Sequence, residues 1–186
     1  MQTCLVQSAK KLLKTLHALA TADCYLFTPA DLSGLLPGMN PSAFKSLLSR
    51  LVTREELVRV CRGIYLTPWV NLPHGRILYH TAARLRAGSF CYLSLESVLS
   101  EAGVISQIPL QRITLMTSGR SNTISCGGFG DIEFTHTRQR PDVVMPHLRY
   151  DPDIRLWRAD EPQALRDLRR TGRNTDLIQE VVDGAV

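Results

Sequence analysis

Lysine is confined to the first quarter of this 186-residue chain. Lys10, Lys11, Lys14 and Lys45 are the only four, and residues 46–186 contain none. That excludes a lysine-bearing phosphate loop, a Schiff-base lysine and the common lysine-dependent nuclease pattern from everything beyond residue 45. No apolar run approaches the ~20 residues that a membrane span needs, and the first helix-like stretch lacks the continuous apolar core of a signal peptide. The five cysteines, at 4, 24, 61, 91 and 126, lie far apart with no C-x-x-C and no Cys/His cluster. This argues against a disulfide framework and a zinc finger, and for reduced thiols in the cytoplasm. The five histidines (17, 74, 80, 136 and 147) show neither metal spacing nor H-E-x-x-H, so no metal and no other cofactor is expected. Asp151 and Asp153 flank Pro152 without a third ligand and read as a loop. The Gly127-Gly128-Phe129-Gly130 run lacks G-x-G-x-x-G spacing and reads as a turn. Ser94 is flanked by leucines and does not sit in a G-x-S-x-G elbow. No residue pattern argues for an enzyme, and no catalytic residue is assigned. A triad assembled from distant residues is a question for the fold.

What is present is concentrated in residues 28–66. Thr28 precedes Pro29 and Asn40 precedes Pro41, two helix starts in which the side-chain oxygen accepts from first-turn N–H groups and proline occupies a position that needs no N–H. Asp31 adds a negative charge near the positive end of the first helix. That helix should end near Leu36, because Pro37-Gly38 does not continue it easily. The second should run from Pro41 to about Thr53, with Phe44, Leu47, Leu48 and Leu51 on one buried stripe. Its opposite face carries Ser42, Lys45, Ser46, Ser49 and Arg50, with no acid until Glu55. Such a face suits a major groove; for one helix alone a solvated surface is the favoured reading, and the order of the flanking elements shifts the balance. Two β-prone runs, residues 57–61 and 64–66, then surround Arg62-Gly63 as a hairpin. The order helix, turn, helix, basic hairpin is that of a winged helix-turn-helix. The residues expected to meet DNA are Ser42, Lys45, Ser46, Ser49, Arg50, Arg54, Arg59 and Arg62, with the serines near base edges and Lys45, Arg50, Arg54 and Arg62 on phosphates. An amphipathic helix with Leu5, Leu12, Leu16 and Leu19 on its inner face should precede the cassette.

The length fits one large or two small domains, and an apolar content of 44% is enough for packed cores. Residues 1–70 carry a net charge of +4, residues 71–150 of +3 and residues 151–186 of −2, so a nucleic-acid contact would lie in the first two-thirds. Residues 68–73 read as a linker. A helix over 74–87 follows, with Ile77, Leu78, Ala82 and Leu85 inward and Gly88 as its stop. Tyr92-Leu93-Ser94-Leu95-Glu96-Ser97-Val98-Leu99 should be an extended piece entering a helix that ends at Gly103. Residues 113–117 read as a strand, 124–126 and 132–135 as a hairpin, and 154–157 as another strand. Asp160 should cap a last helix holding Ala164, Leu165 and Leu168. The predicted class is therefore α+β: a winged helix-turn-helix domain over 1–70 and a mixed α+β domain over 71–186.

Three places in this sequence resemble the AbiEi family of antitoxins from type IV toxin–antitoxin and abortive-infection systems. They are the winged helix closing on Arg62-Gly63-Ile64-Tyr65-Leu66-Thr67-Pro68, the block Tyr92–Leu99 followed by Gly103, and Ala164-Leu165-Arg166-Asp167-Leu168. The Tyr-Leu-Ser-Leu-Glu-Ser block is the most distinctive. The resemblance implies an autorepressor in which the first domain binds inverted repeats in promoter DNA. It also implies a second domain that supports cooperative binding or counteracts a co-encoded nucleotidyltransferase-like toxin, and it brings no catalytic residues. Binding as a monomer on each repeat and binding as a dimer are both compatible with the sequence. The alternative is a winged-helix interaction module that binds the toxin or another protein without DNA recognition, through a C-terminal segment holding Trp157 and Leu165.

Overall fold

The computed structural model describes residues 2–71, 74–105 and 111–173; the side chains of residues 2–5 and 74 fall outside that description. Cys4, Leu5, the linker positions Leu72 and Pro73 and the His74 side chain therefore lie outside the described residues. Two compact units are present, Met1–Ile77 and Leu78–Val186.

The first unit contains α1 (Gln2–Leu19), β1 (Leu26–Phe27), α2 (Pro29–Gly34), α3 (Pro41–Thr53), β2 (Val58–Cys61) and β3 (Ile64–Leu66). Its sheet has the order β1-β3-β2 and is antiparallel throughout, with Leu26 opposite Leu66 and Phe27 opposite Tyr65. β1 was not visible in the sequence, because two residues carry no periodicity. It exists by pairing with β3, and the Thr67 N–H donates to the Tyr25 carbonyl just beyond the pair (3.1 Å). One core cluster joins Leu12 and Leu16 of α1, Leu32 and Leu36 around α2, Leu47, Leu48 and Leu51 of α3, and Phe27 and Leu57. Leu19 does not join it and is 48% exposed. The α1 stripe continues from Leu16 to Ala20, its i+4 neighbour, rather than to Leu19. The His17 ring stacks on Trp69 at 4.0 Å and ties the end of α1 to the chain beyond β3.

The second unit holds α4 (Ile77–Leu85), β4 (Cys91–Leu93), α5 (Glu96–Glu101), β5 (Arg112–Thr117), β6 (Asn122–Ser125), β7 (Asp131–His136), α6 (Pro141–Val144), β8 (Leu148–Asp151), β9 (Leu156–Ala159) and α7 (Glu161–Thr171). Its six strands run in the order β6-β7-β5-β4-β9-β8. The central pair β4/β5 is antiparallel, each member has a parallel neighbour (β9 and β7), and antiparallel hairpins close both edges. Residues 113–117 of β5 are all buried, as a strand covered on both faces requires. The mixed α+β class is the one observed.

Two further sequence expectations need correcting. The strand placed at 154–157 is β9, at Leu156–Ala159; Ile154 sits in the turn after β8, where the Asp151 carboxylate accepts from the N–H groups of Asp153 (2.9 Å) and Ile154 (3.4 Å). The helix placed at 74–87 begins as a 3₁₀ turn over His74–Arg76 and is α-helical only over Ile77–Leu85. Ile77, Leu78 and Ala82 are buried as expected, and Leu85 is half-buried.

The Tyr92–Leu99 block builds the centre of this unit. The hydroxyls of Tyr92 (3.0 Å) and Ser94 (2.7 Å) donate to Asp167 Oδ2, while the amides of Gln139 (2.6 Å) and Gln163 (2.8 Å) donate to Oδ1. Asp167, Tyr92 and Ser94 are each 0% exposed. Four donors give this buried carboxylate the hydrogen bonds it lost on leaving water. Leu95 has φ +58°, a conformation that a leucine adopts only under constraint from its surroundings. That turn starts α5 and lets Ser97 and Thr114 bond reciprocally: the Thr114 N–H donates to Ser97 Oγ (2.8 Å) and the Ser97 N–H to Thr114 Oγ1 (3.1 Å).

Candidate nucleic-acid interface

The helix-turn-helix is fixed by local capping. The Asp31 N–H donates to Thr28 Oγ1 (3.2 Å) and the Thr28 N–H donates to Asp31 Oδ2 (2.8 Å), a reciprocal capping box that starts α2. Gly38 takes φ +82° in the turn, and the Ser42 N–H donates to Asn40 Oδ1 (2.9 Å) to start α3. The span of α3, Pro41–Thr53, is the one the sequence predicts.

With Leu47, Leu48 and Leu51 buried and Phe44 half-buried, the outer face of α3 is set. Ser42, Lys45, Ser46, Ser49 and Arg50 are all exposed on it. The Ser46 hydroxyl donates back to the Ser42 carbonyl (3.0 Å) and must turn away to reach a base edge. Arg54 is the exposed C-cap of α3. The hairpin β2–β3 turns at Arg62-Gly63, where Gly63 has φ +89°, open space around a would-be Cβ and a conformation that favours glycine. Arg62 is exposed on this turn, and Arg59, exposed on β2, donates from Nε to the Cys61 carbonyl (3.4 Å). Among the described residues, Lys45, Arg50, Arg54 and Arg62 form no ion pair, so none spends its charge inside the unit. The fold thus sorts the eight predicted contact residues into five on the outer face of α3, one at its end and two on the wing. Lys10, Lys11 and Lys14 are also exposed, on α1, a helix that packs on α3. Their clustering on one helix was readable in the sequence, but their connection to α3 was not.

Residues 22–68 match the AbiEi_4 family, described as "Transcriptional regulator, AbiEi antitoxin". The matched stretch takes in β1, α2, α3 and both strands of the hairpin, so the segment similar to that family is the winged helix-turn-helix. The AbiEi family is one of antitoxins and transcriptional regulators rather than a class of enzymes. No curated protein matches the chain. Among the described residues no cluster of His, Cys, Asp and Glu could hold a metal ion, and no helix is long and apolar enough to cross a membrane. Trp157 and Leu165, the residues of the alternative protein-contact reading, are both half-buried; the Trp157 ring lies edge-on to Tyr150 at 5.5 Å.

Proposed function

We propose that this protein is the antitoxin of a type IV toxin–antitoxin system and represses its own operon from the cytoplasm. The observation that carries the proposal is the outer face of α3 with the adjoining hairpin: small polar and basic side chains, exposed and without ion pairs, inside the segment that matches the AbiEi family. α3 enters the major groove of an inverted repeat in the promoter. Ser42, Ser46 and Ser49 face base edges, Lys45, Arg50 and Arg54 take phosphates, and Arg62, with Arg59 behind it, reaches the backbone or minor groove beside the helix. The residues 71–186 domain carries the antitoxic role against a co-encoded nucleotidyltransferase-like toxin.

Gel-shift titration of the upstream promoter fragment tests the reading. Lys45→Ala and Arg62→Ala each weaken binding, whereas Arg166→Ala, on an exposed helix position of the second unit, does not. Wild-type binding by both variants would show the assigned face to be wrong. Co-purification with the neighbouring gene product together with no promoter shift would favour the interaction-module reading instead.

A further inference from the structure

The second unit has an open hollow of about 280 Å³ just beyond the C-terminal ends of the parallel strands β5 and β7. Met116, His136, Arg138, Gln139, Arg170 and Thr171 line it, with buried Thr137 between them. In open α/β sheets the carboxyl ends of parallel strands are where ligands settle. Here that end is cationic. Arg138 and Arg170 are exposed, and among the described residues neither forms an ion pair. No carboxylate lines the hollow. His136 Nδ1 lies 2.8 Å from the Gly119 carbonyl, which can only accept, so Nδ1 carries a proton there and Nε2 is the ring atom left for a ligand.

Two features could oppose an anion, and the structure answers both. The last turn of α7 borders the hollow, and the C-terminal end of a helix is negative. Three of its carbonyls are engaged: the Thr171 hydroxyl proton is shared between those of Leu168 (2.9 Å) and Asp167 (3.0 Å), and the Gly172 N–H donates to that of Arg169 (3.2 Å). The Asp167 carboxylate is 0% exposed and takes four hydrogen bonds. The cationic groups are arginines, whose planar forks match phosphate oxygens two at a time. The volume lies just below the ~300 Å³ at which small-molecule sites begin, and so suits a single phosphoryl group with little attached to it.

The geometry points to a phosphate-binding site in the second unit, with Arg138 and Arg170 as its two charged arms and His136 and Gln139 as its polar wall. The phosphate is either a free phosphomonoester or one position of a nucleic-acid backbone. This inference does not rest on operator recognition by α3, since Lys45 and Arg62 lie in the other unit.

Isothermal titration of the full chain with inorganic phosphate, against chloride at equal ionic strength, tests it. Saturable binding is expected. Arg138→Gln and Arg170→Gln should each weaken it about tenfold, the scale of a charge-assisted hydrogen bond. Arg169→Gln, on an exposed neighbour outside the hollow, should leave it unchanged, as should Arg62→Ala. All four arginines are exposed, and circular dichroism checks that each variant folds. Adenosine 5′-monophosphate and a duplex without inverted repeats then separate the sources. Competition by the nucleotide alone identifies a free phosphomonoester, and competition by the duplex that is lost in the Arg138→Gln/Arg170→Gln variant identifies a backbone phosphate. Absence of saturable phosphate binding, or equal loss in Arg169→Gln, overturns the proposal.

Discussion

If α3 and the wing hold phosphates through Lys45, Arg50, Arg54 and Arg62, the salt dependence of promoter binding follows from that count. Each neutralised phosphate releases condensed counterions and contributes about −0.9 to the slope of log K against log salt. Four contacts per chain give a slope of about −3.6. Raising salt fourfold, from about 50 to about 200 mM, should then weaken binding to a single repeat by about 150-fold. Arg62→Ala removes one contact, so the slope becomes about −2.7 and the same change of salt costs only about 40-fold. Ser46→Ala should leave the slope alone, because an uncharged group releases no ions, and should instead alter discrimination between operator and mutated repeats. Fluorescence anisotropy on a labelled half-site at four or five salt concentrations measures all three. A wild-type slope shallower than about −1 would refute the count, since a protein bound mainly by apolar contact has little salt dependence. An unchanged slope in Arg62→Ala would remove the hairpin from the interface while leaving α3 in place.

Other expectations concern stability. Asp167→Ala strands the donors of Tyr92, Ser94, Gln139 and Gln163, at roughly 1–3 kcal/mol for each that finds no new partner; urea unfolding should show a loss of at least about 3 kcal/mol, and a loss below about 1 kcal/mol would mean that the network is not the centre of that unit. Thr28→Ala removes the cap of α2 and should cost about 1 kcal/mol, visible in the same assay. Burial pushes the Cys91 thiol from 9.0 to about 12, against the opposing pull of Arg86 and the Thr117 hydrogen bond. The folded chain therefore keeps a proton that the unfolded chain sheds near pH 9.0, so this contribution is intact below pH 9 and is lost as pH rises towards 12. Cys91→Ala should flatten that alkaline decline. Alkylation at pH 8 with peptide mapping should label exposed Cys24 and spare buried Cys61, Cys91 and Cys126 until the chain is unfolded.

The first unit was largely legible because its signals are local. Caps at Thr28 and Asn40, prolines at the first helical positions and the stripe of Phe44, Leu47, Leu48 and Leu51 are set by neighbours within one or two turns. The same reasoning succeeded for α7, whose start at Asp160 is confirmed by the Gln163 N–H donating to its carboxylate (2.7 Å). It failed where an element exists only through its partner. β1 is two residues long, β8 is polar or half-buried at each position, and neither has a pattern apart from its pairing with β3 or β9. The strand order of the second unit is still less local, since its central neighbours β4 and β9 are separated by most of that unit's sequence. The basic hollow escaped for a related reason: His136 and Arg138 lie more than thirty positions from Arg170, and only the fold brings the end of β7 and the last turn of α7 together.

The two blocks that lie outside the family-matched segment have a common explanation in the fold. Tyr92 and Ser94 come from the Tyr-Leu-Ser-Leu-Glu-Ser block, and Asp167 comes from Ala-Leu-Arg-Asp-Leu, 73 positions beyond Ser94. In the structure they are one object, a buried carboxylate and the hydroxyls that satisfy it. Such a pair is constrained jointly, because replacing either side alone leaves a polar group unpaired inside the protein. The block is thus distinctive for a structural reason. The Ser94–Asp167 pair also lacks what a nucleophile needs: Ser94 is 0% exposed and its hydroxyl donates to a carboxylate instead of to a histidine base. The exposed chemistry of the second unit lies on the other side of this network, where Gln139 links the buried Asp167 to the arginine-lined hollow. Gln139→Ala therefore tests the connection between them: it should weaken phosphate binding and lower the stability of the second unit together, whereas Arg138→Gln should change binding alone.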